Sequence, residues 1–312
     1  MKSLSCSNPV SRPRRHLRSA MVCGVLLVPS VWAQDPTSGM HLQTLQPGVH
    51  LISGYANGNI LAVESDSGLV LVDAQSAKRV AAADSVLRTV IRTKVRYVVY
   101  THYHEDHTGG MVHWREAGAR AVAHESAPVQ MNKDTVIVEM GNWHRVRATP
   151  EALPDRTFRD SVTIRSAGVE AQVYHLAAAH TDGDAVVWFP AANVLHVGDL
   201  IEPEGSLFID WWAGGSLDGV IAAAEWILDH TDDRTTIVPG HGRTIDRTTV
   251  QYHLGMLLHL RDQVTASLAR GETREMLLAA DPAATYKGFL GGDAGAARFV
   301  RLLHYGLSRP RP

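Results

Sequence analysis

Apolar and polar positions fall into three short strand-like runs at 49–53, 59–64 and 69–73, separated by turn signals at Ala56-Asn57-Gly58 and Asp66-Ser67-Gly68. This spacing predicts a β-meander. Val80, Ala83, Val86, Leu87 and Ile91 then recur at helical spacing within 76–93. The apolar, β-branched run 95–100 reads as a buried strand. A helix-like stretch to about Glu116 and a short strand at 120–123 follow, whereas 130–155 shows no readable period. A second β-rich region covers 157–164, 170–176, 185–189 and 194–197. It is followed by a helix over 216–228, a strand over 235–238, a long helix over 247–268 and a last helix near 294–307. The two halves resemble each other in order, and helices must cover the apolar faces of sheets. The expected fold is therefore α/β, an αββα four-layer sandwich forming one domain over 34–312. No short-period repeat points to a solenoid.

Composition adds that the 312-residue chain is globular, with 45% hydrophobic and 20% charged residues. The first 33 residues read as an export signal to be removed. Lys2, Arg12, Arg14, Arg15 and Arg18 form a basic start without acidic residues, and the apolar stretch 22–32 ends at Val31-Trp32-Ala33. That stretch holds Pro29 and is too short for a bilayer of roughly 30 Å, so no stable membrane anchor is expected. The protein is expected in the periplasm or outside the cell. Arg14-Arg15 leaves the choice between the Sec and twin-arginine routes open, and nothing in the sequence fixes the oligomeric state.

Both cysteines, Cys6 and Cys23, lie in the removed segment, so any metal must be held by His and carboxylate. Without the signal, 25 basic side chains face 32 acidic ones, a formal charge of −7. That charge disfavours nucleic acid as a partner and leaves a small-molecule substrate.

The densest chemistry is Thr101-His102-Tyr103-His104-Glu105-Asp106-His107-Thr108-Gly109-Gly110, where a buried strand should give way to a helix. Residues two apart in an extended segment share a face, so His102 and His104 can reach one metal from the same side. A turn after them lets Asp106 and His107 point to a second metal. Further on stand Asp73 at the end of an early strand, His180-Thr181-Asp182-Gly183-Asp184, Val197-Gly198-Asp199 and Pro239-Gly240-His241-Gly242.

Together these motifs are similar to the metallo-β-lactamase superfamily, whose signature is HxHxDH followed by Gly; the resemblance runs from Gly58-Asn59 to His241. It implies one zinc on His102, His104 and His180, a second on Asp106, His107 and His241, Asp199 bridging them, and Asp73 supporting the ligands. Such N and O donors suit zinc without excluding iron or manganese. Flavodiiron relatives carry Glu where this chain has His104, which favours zinc. His175 and His196 lie in strand-like runs, Asp182 reads as a turn residue and Asp184 as a helper near the site.

The resemblance further implies a metal-dependent hydrolase with two Zn2+ per chain. Metals about 3.5–4 Å apart share a water, lower its pKa from about 15.7 towards about 7, and let the hydroxide attack a carbonyl. His102, His104, Asp106 and His107 carry that catalysis, with Asp106 orienting the attacking oxygen.

The expected substrate is an ester, lactone or amide, β-lactams among the amides. β-Lactamases of one class have cysteine at the position of Asp199, whereas glyoxalase II and lactonases have aspartate. No basic run near the motifs suits glutathione thioesters. Two alternatives are a periplasmic β-lactamase proper and a mononuclear-iron persulfide dioxygenase. Trp211 and Trp212, beside Gly214-Gly215, are candidates for one apolar wall of the substrate pocket, with Tyr55 and Asn57 facing them.

Overall fold

The computed structural model describes residues 32–34, 39–54, 57–203 and 207–309, without the side chains of 32–34 and Asn57. The expected signal therefore lies almost wholly outside the described residues, and Tyr55 lies outside them too. No described helix is long and apolar enough to cross a membrane.

The first sheet contains β1 (Trp32–Gln34), β2 (Met40–Gln46), β3 (Val49–Gly54), β4 (Asn57–Ser65), β5 (Gly68–Val72), β6 (Val95–Val99) and β7 (Arg120–His124) in that spatial order. β1 straddles the expected cleavage point after Ala33. β8 (Thr135–Ile137) and β9 (Trp143–Arg145) form a separate hairpin, and β10 (Arg156–Phe158) closes the first sheet beside β7. The second sheet runs β11 (Ser161–Ser166), β12 (Val169–His175), β13 (Ala185–Phe189), β14 (Val194–Gly198) and β15 (Thr236–Pro239).

Alternation along the strands decides the layers. In β3 and β4, Val49, Leu51, Leu61 and Val63 point to a core shared with Val162, Ile164, Val173 and Val187 of the second sheet. Their neighbours Ile52, Ile60 and Ala62 face the other way, successive side chains of a strand taking opposite faces. There they meet α1 (Val80–Leu87) and the segments around α3 (Met111–Glu116) and α4 (Ser126–Met131). The outer face of the second sheet is covered by α5 (Leu217–His230), α6 (Arg247–Ala269), α7 (Arg274–Ala279) and α8 (Gly292–Leu307). The architecture is the αββα sandwich.

Several boundaries depart from the periodicity. The helix expected over 76–93 is confined to α1, because Gln75 is held in the left-handed region at φ 68° and the chain turns through Ser76–Arg79 before it can wind. The stretch 157–164 is split between β10 and β11, which belong to different sheets. The leader before Val49 contains β2, whose mixed burial hides its strand period. The chain without a readable period, 130–155, makes the β8–β9 hairpin.

β5, β6 and β7 pair in parallel, as do β14 and β15. Their C-terminal ends deliver Asp73, Thr101 and His102 from one sheet and Asp199 and His241 from the other to one edge of the sandwich. Open sheets gather ligands at such strand ends.

Candidate metal centre

Two groups of ligand-type side chains converge at this edge. Atoms of His102, His104, His180 and Asp199 lie within 4.8 Å of one another, and so do atoms of Asp106, His107 and His241. In the first group His104 Nδ1 is 3.0 Å from both His102 Nε2 and His180 Nε2, each of which is 3.6 Å from Asp199 Oδ2. In the second, His241 Nε2 lies 3.2 Å from His107 Nε2 and 3.2 Å from Asp106 Oδ2. Asp199 also faces this group, at 3.4 Å from His107 Nε2 and from His241 Nε2.

The outer nitrogens determine what the inner ones can do. His107 Nδ1 donates to Asp73 Oδ2 at 2.7 Å, and His180 Nδ1 to the Phe208 carbonyl at 2.7 Å. The Thr101 hydroxyl gives its single proton to Asp73 Oδ2, so His102 Nδ1, 3.0 Å away, must be the donor to Thr101 Oγ1. His104 Nε2 faces Asp210 Oδ2 at 3.2 Å. A neutral imidazole that donates through one nitrogen presents a lone pair at the other. The inner nitrogens of His102, His104 and His180 therefore confront one another without a proton between them. A cation at their centre relieves that repulsion, and Asp199 Oδ1, which among the described residues is buried and accepts no hydrogen bond, is a further unsatisfied acceptor. The donor set fits a metal ion, and the outer partners are of the kind that fix metal-ligating histidines.

Electrostatics agree. Burial, with neighbouring rings, pushes His102 down, and burial takes His180 to about 4. Burial also acts to lower His107 and His241, but Asp199 and Asp106 outweigh it, lifting His107 well above its usual range and His241 to about 11.

Local backbone explains the convergence. Asp73, with φ 65°, turns off the end of β5 so that its carboxylate receives the Thr101 N–H at 2.7 Å as well as the Thr101 hydroxyl and His107. Asp184 accepts from Thr181 N at 2.9 Å and Thr181 Oγ1 at 2.6 Å, which closes the turn carrying His180; burial raises its carboxyl to about 7. Asn59 donates to the carbonyls of Pro239 and Gly242, both at 2.9 Å, and so clamps the loop of His241. Gly240 has no room for a side chain, since a Cβ there would collide with Asp199 Oδ1.

The other candidate residues go elsewhere. His175 stacks on His124 at 3.8 Å and donates to the Asp184 carbonyl, and His196 accepts from Gly198 N inside β14. Asp182 accepts from Gln130 at 2.6 Å. Trp211 and Trp212 do not line the cavity described next. The indole of Trp211 occupies the space beside Gly306 of α8, and Trp212 lies 4.9 Å from the Tyr305 ring. Apolar rings next to a helix face are drawn into that packing. Asn57 starts β4, directly after residues 55–56, which lie outside the described ones.

A cavity of about 470 Å³ borders His104 instead, with Tyr103, Thr108, Val112, Met131, Trp143 and Arg145 in its walls. Trp143 packs edge-on to His104 and to Phe208, at 5.8 and 6.0 Å. Arg145 is buried, bonded to Asp210 at 3.2 Å and to Gln130 at 3.2 Å, and lies 4.9 Å from the Tyr103 ring. Trp143, Arg145 and Asp210 were hidden in sequence. Two lie in the stretch without a period, and Asp210 stands beside the more conspicuous tryptophan pair.

A family model described as the metallo-beta-lactamase superfamily matches residues 54–241. The metallo-beta-lactamase type 2 of Bacillus cereus is 26% identical over 220 residues, covering 69% of this chain and 77% of that protein. The protein of the same description from Bacteroides fragilis is 26% identical over 156 residues, 49% of this chain and 55% of its own. Among solved structures, a metallo-beta-lactamase from Pontibacter korlensis superposes with a TM-score of 0.58 at 21% identity, covering 70% of this chain and 99% of that one. The sec-alkylsulfatase Pisa1 from Pseudomonas sp. gives 0.61 at 18% identity, covering 84% of this chain and 49% of that one. At these identities the structural likenesses speak to the fold. The family match spans the strands and loops that carry all of the convergent histidines and carboxylates, and the chain belongs to the metallo-beta-lactamase superfamily of metal-dependent hydrolases.

Proposed function

We propose that this is an exported hydrolase that holds two zinc ions and cleaves, with water, the acyl C–O or C–N bond of an ester, lactone or amide. The observation that carries the reading is the set of inner imidazole lone pairs, which His102, His104 and His180 can present together only to a cation. When bound, a zinc pair supplies Lewis acidity at the carbonyl oxygen and a water acidified towards a pKa of about 7.

The chain's own residues do the rest. His102, His104 and His180 on one side and Asp106, His107 and His241 on the other are the proposed ligands, with Asp199 between them. Asp73, Thr101, Asp210 and the Phe208 carbonyl fix ring orientation, so no reorganisation is needed during the reaction. Asp106 is the more exposed of the two candidate carboxylates, at 32% against 8% for Asp199, and can accept a hydrogen bond from the attacking water. The cavity beside His104 takes the apolar part of the substrate against Trp143 and Met131. Arg145 does not offer that cavity an isolated charge, because Asp210 neutralises it.

A β-lactam substrate is the second reading. It is favoured by the printed descriptions of the Bacillus cereus and Bacteroides fragilis relatives. A panel of chromogenic ester, lactone, thioester and β-lactam substrates, nitrocefin included, discriminates the two on zinc-loaded protein. The hydrolase reading requires turnover of at least one carbonyl substrate that His104→Ala abolishes. Retention of one iron per chain with oxygen uptake would overturn it.

A further inference from the structure

Glu202 stands three residues after Asp199, in the loop that leaves β14, and its side chain turns back towards the second group of ligands. Atoms of Asp199, Glu202 and His241 lie within 4.8 Å of one another, the same closeness that joins Asp106, His107 and His241. Three carboxylates, Asp106, Asp199 and Glu202, thus gather around one imidazole. Like charges brought this close out of bulk water repel strongly unless a cation sits among them. Among the described residues Asp199 Oδ1, on a side chain only 8% exposed, accepts no hydrogen bond, the His107 Nε2 nitrogen standing off at 3.4 Å, so a buried acceptor in this corner is left unsatisfied.

We infer that Glu202 is an additional ligand of the second metal position, which makes the two positions chemically unequal. This rests on the two-ion reading of the site. The first position has three imidazoles and the shared Asp199. The second has two imidazoles and, with Glu202, three carboxylates, a harder set that supports a higher coordination number and suits oxygen-preferring divalent ions better than the first. Asp199 and Glu202 share one loop, so one short segment supplies both added oxygens.

The test uses the full chain freed of metal and titrated with Co2+, whose visible absorption reports coordination number, with calorimetry giving the affinity of each equivalent. Expected for Glu202→Gln is at least a tenfold weaker second equivalent, an unchanged first, and stronger absorption from the second Co2+ as its coordination number falls. Glu202→Asp is expected to lie between the two proteins. A second equivalent in Glu202→Gln that matches wild type in affinity and spectrum overturns the assignment. So does an equal weakening of both equivalents with a lower Tm, the result of a purely structural role. Uptake of one ion by wild type overturns the two-ion reading itself, and this assignment with it.

Discussion

Asp210 Oδ2 lies 3.2 Å from Nε2 of His104, although the two residues are 106 positions apart in the chain. The same carboxylate also receives the Tyr103 hydroxyl and Arg145, while its other oxygen accepts the Trp212 and Ala213 N–H groups at 3.1 and 3.0 Å. One buried aspartate therefore aims a candidate ligand, anchors the loop after Phe208 and neutralises the cation beside the cavity.

Asp210→Asn keeps the shape but weakens the hold on His104 Nε2. A loss of about 10- to 100-fold in metal affinity or activity is expected, as for other partners behind metal-ligating histidines. Competition with a chromophoric chelator measures it. Asp210→Ala also leaves Arg145 buried without its carboxylate and should cost about 3–5 kcal/mol in denaturant unfolding.

Gly240→Ala places a methyl group against Asp199 Oδ1 and, at 3.0 Å, against the Gly198 carbonyl carbon. Overpacking of this kind costs about 1–3 kcal/mol, and the shift of Asp199 should lower metal content. Elemental analysis beside a melting curve separates the two effects, and full metal content at wild-type stability would contradict the packing argument.

The two tryptophan sites should part company in kinetics. Trp143→Ala opens the cavity wall and is expected to raise KM for substrates with apolar acyl groups. Trp211→Ala removes packing against α8 and is expected to lower the Tm. Its kcat/KM should stay near wild type while the protein is folded.

His253 is fully buried in α6, and among the described residues neither ring nitrogen has a hydrogen-bond partner; burial lowers its pKa to about 3. Above pH 6.5 the ring is neutral whether the chain is folded or unfolded. As pH falls from 6.5 towards 3, only the unfolded chain takes up the proton, so stability declines across that window. At pH 5 the loss is about 2 kcal/mol. His253→Leu should remove that part of the decline, seen as a smaller difference between urea midpoints at pH 7 and pH 5.

Chelation should lower Tm as well as stop hydrolysis, since an ion that binds only the folded chain at 100 times its Kd adds about 2.7 kcal/mol. Scanning calorimetry with and without a chelator, then with added Zn2+, checks the reversal. An unchanged Tm would mean that the inner nitrogens are balanced by something other than a cation.

The sequence by itself determined what depends on near neighbours. Strand and helix periods marked most elements of both sheets, because side-chain direction repeats every two or 3.6 residues. The run from His102 to His107 placed four donors within six residues, where chain geometry leaves them few ways to point. Motif order then indicated His180, Asp199 and His241. Tertiary structure alone decided what lies around them. Arg145, Asp210 and Trp143 meet His104 through an irregular hairpin and a loop, with no local period to announce the contact. Trp211 and Trp212 went to α8, because a helix almost a hundred residues later supplies the apolar surface they cover. Glu202 joins Asp199 and His241 only when the ends of β14 and β15 come side by side. Covalent spacing limits which neighbours can share an ion, whereas burial against distant segments selects the groups that orient and surround them.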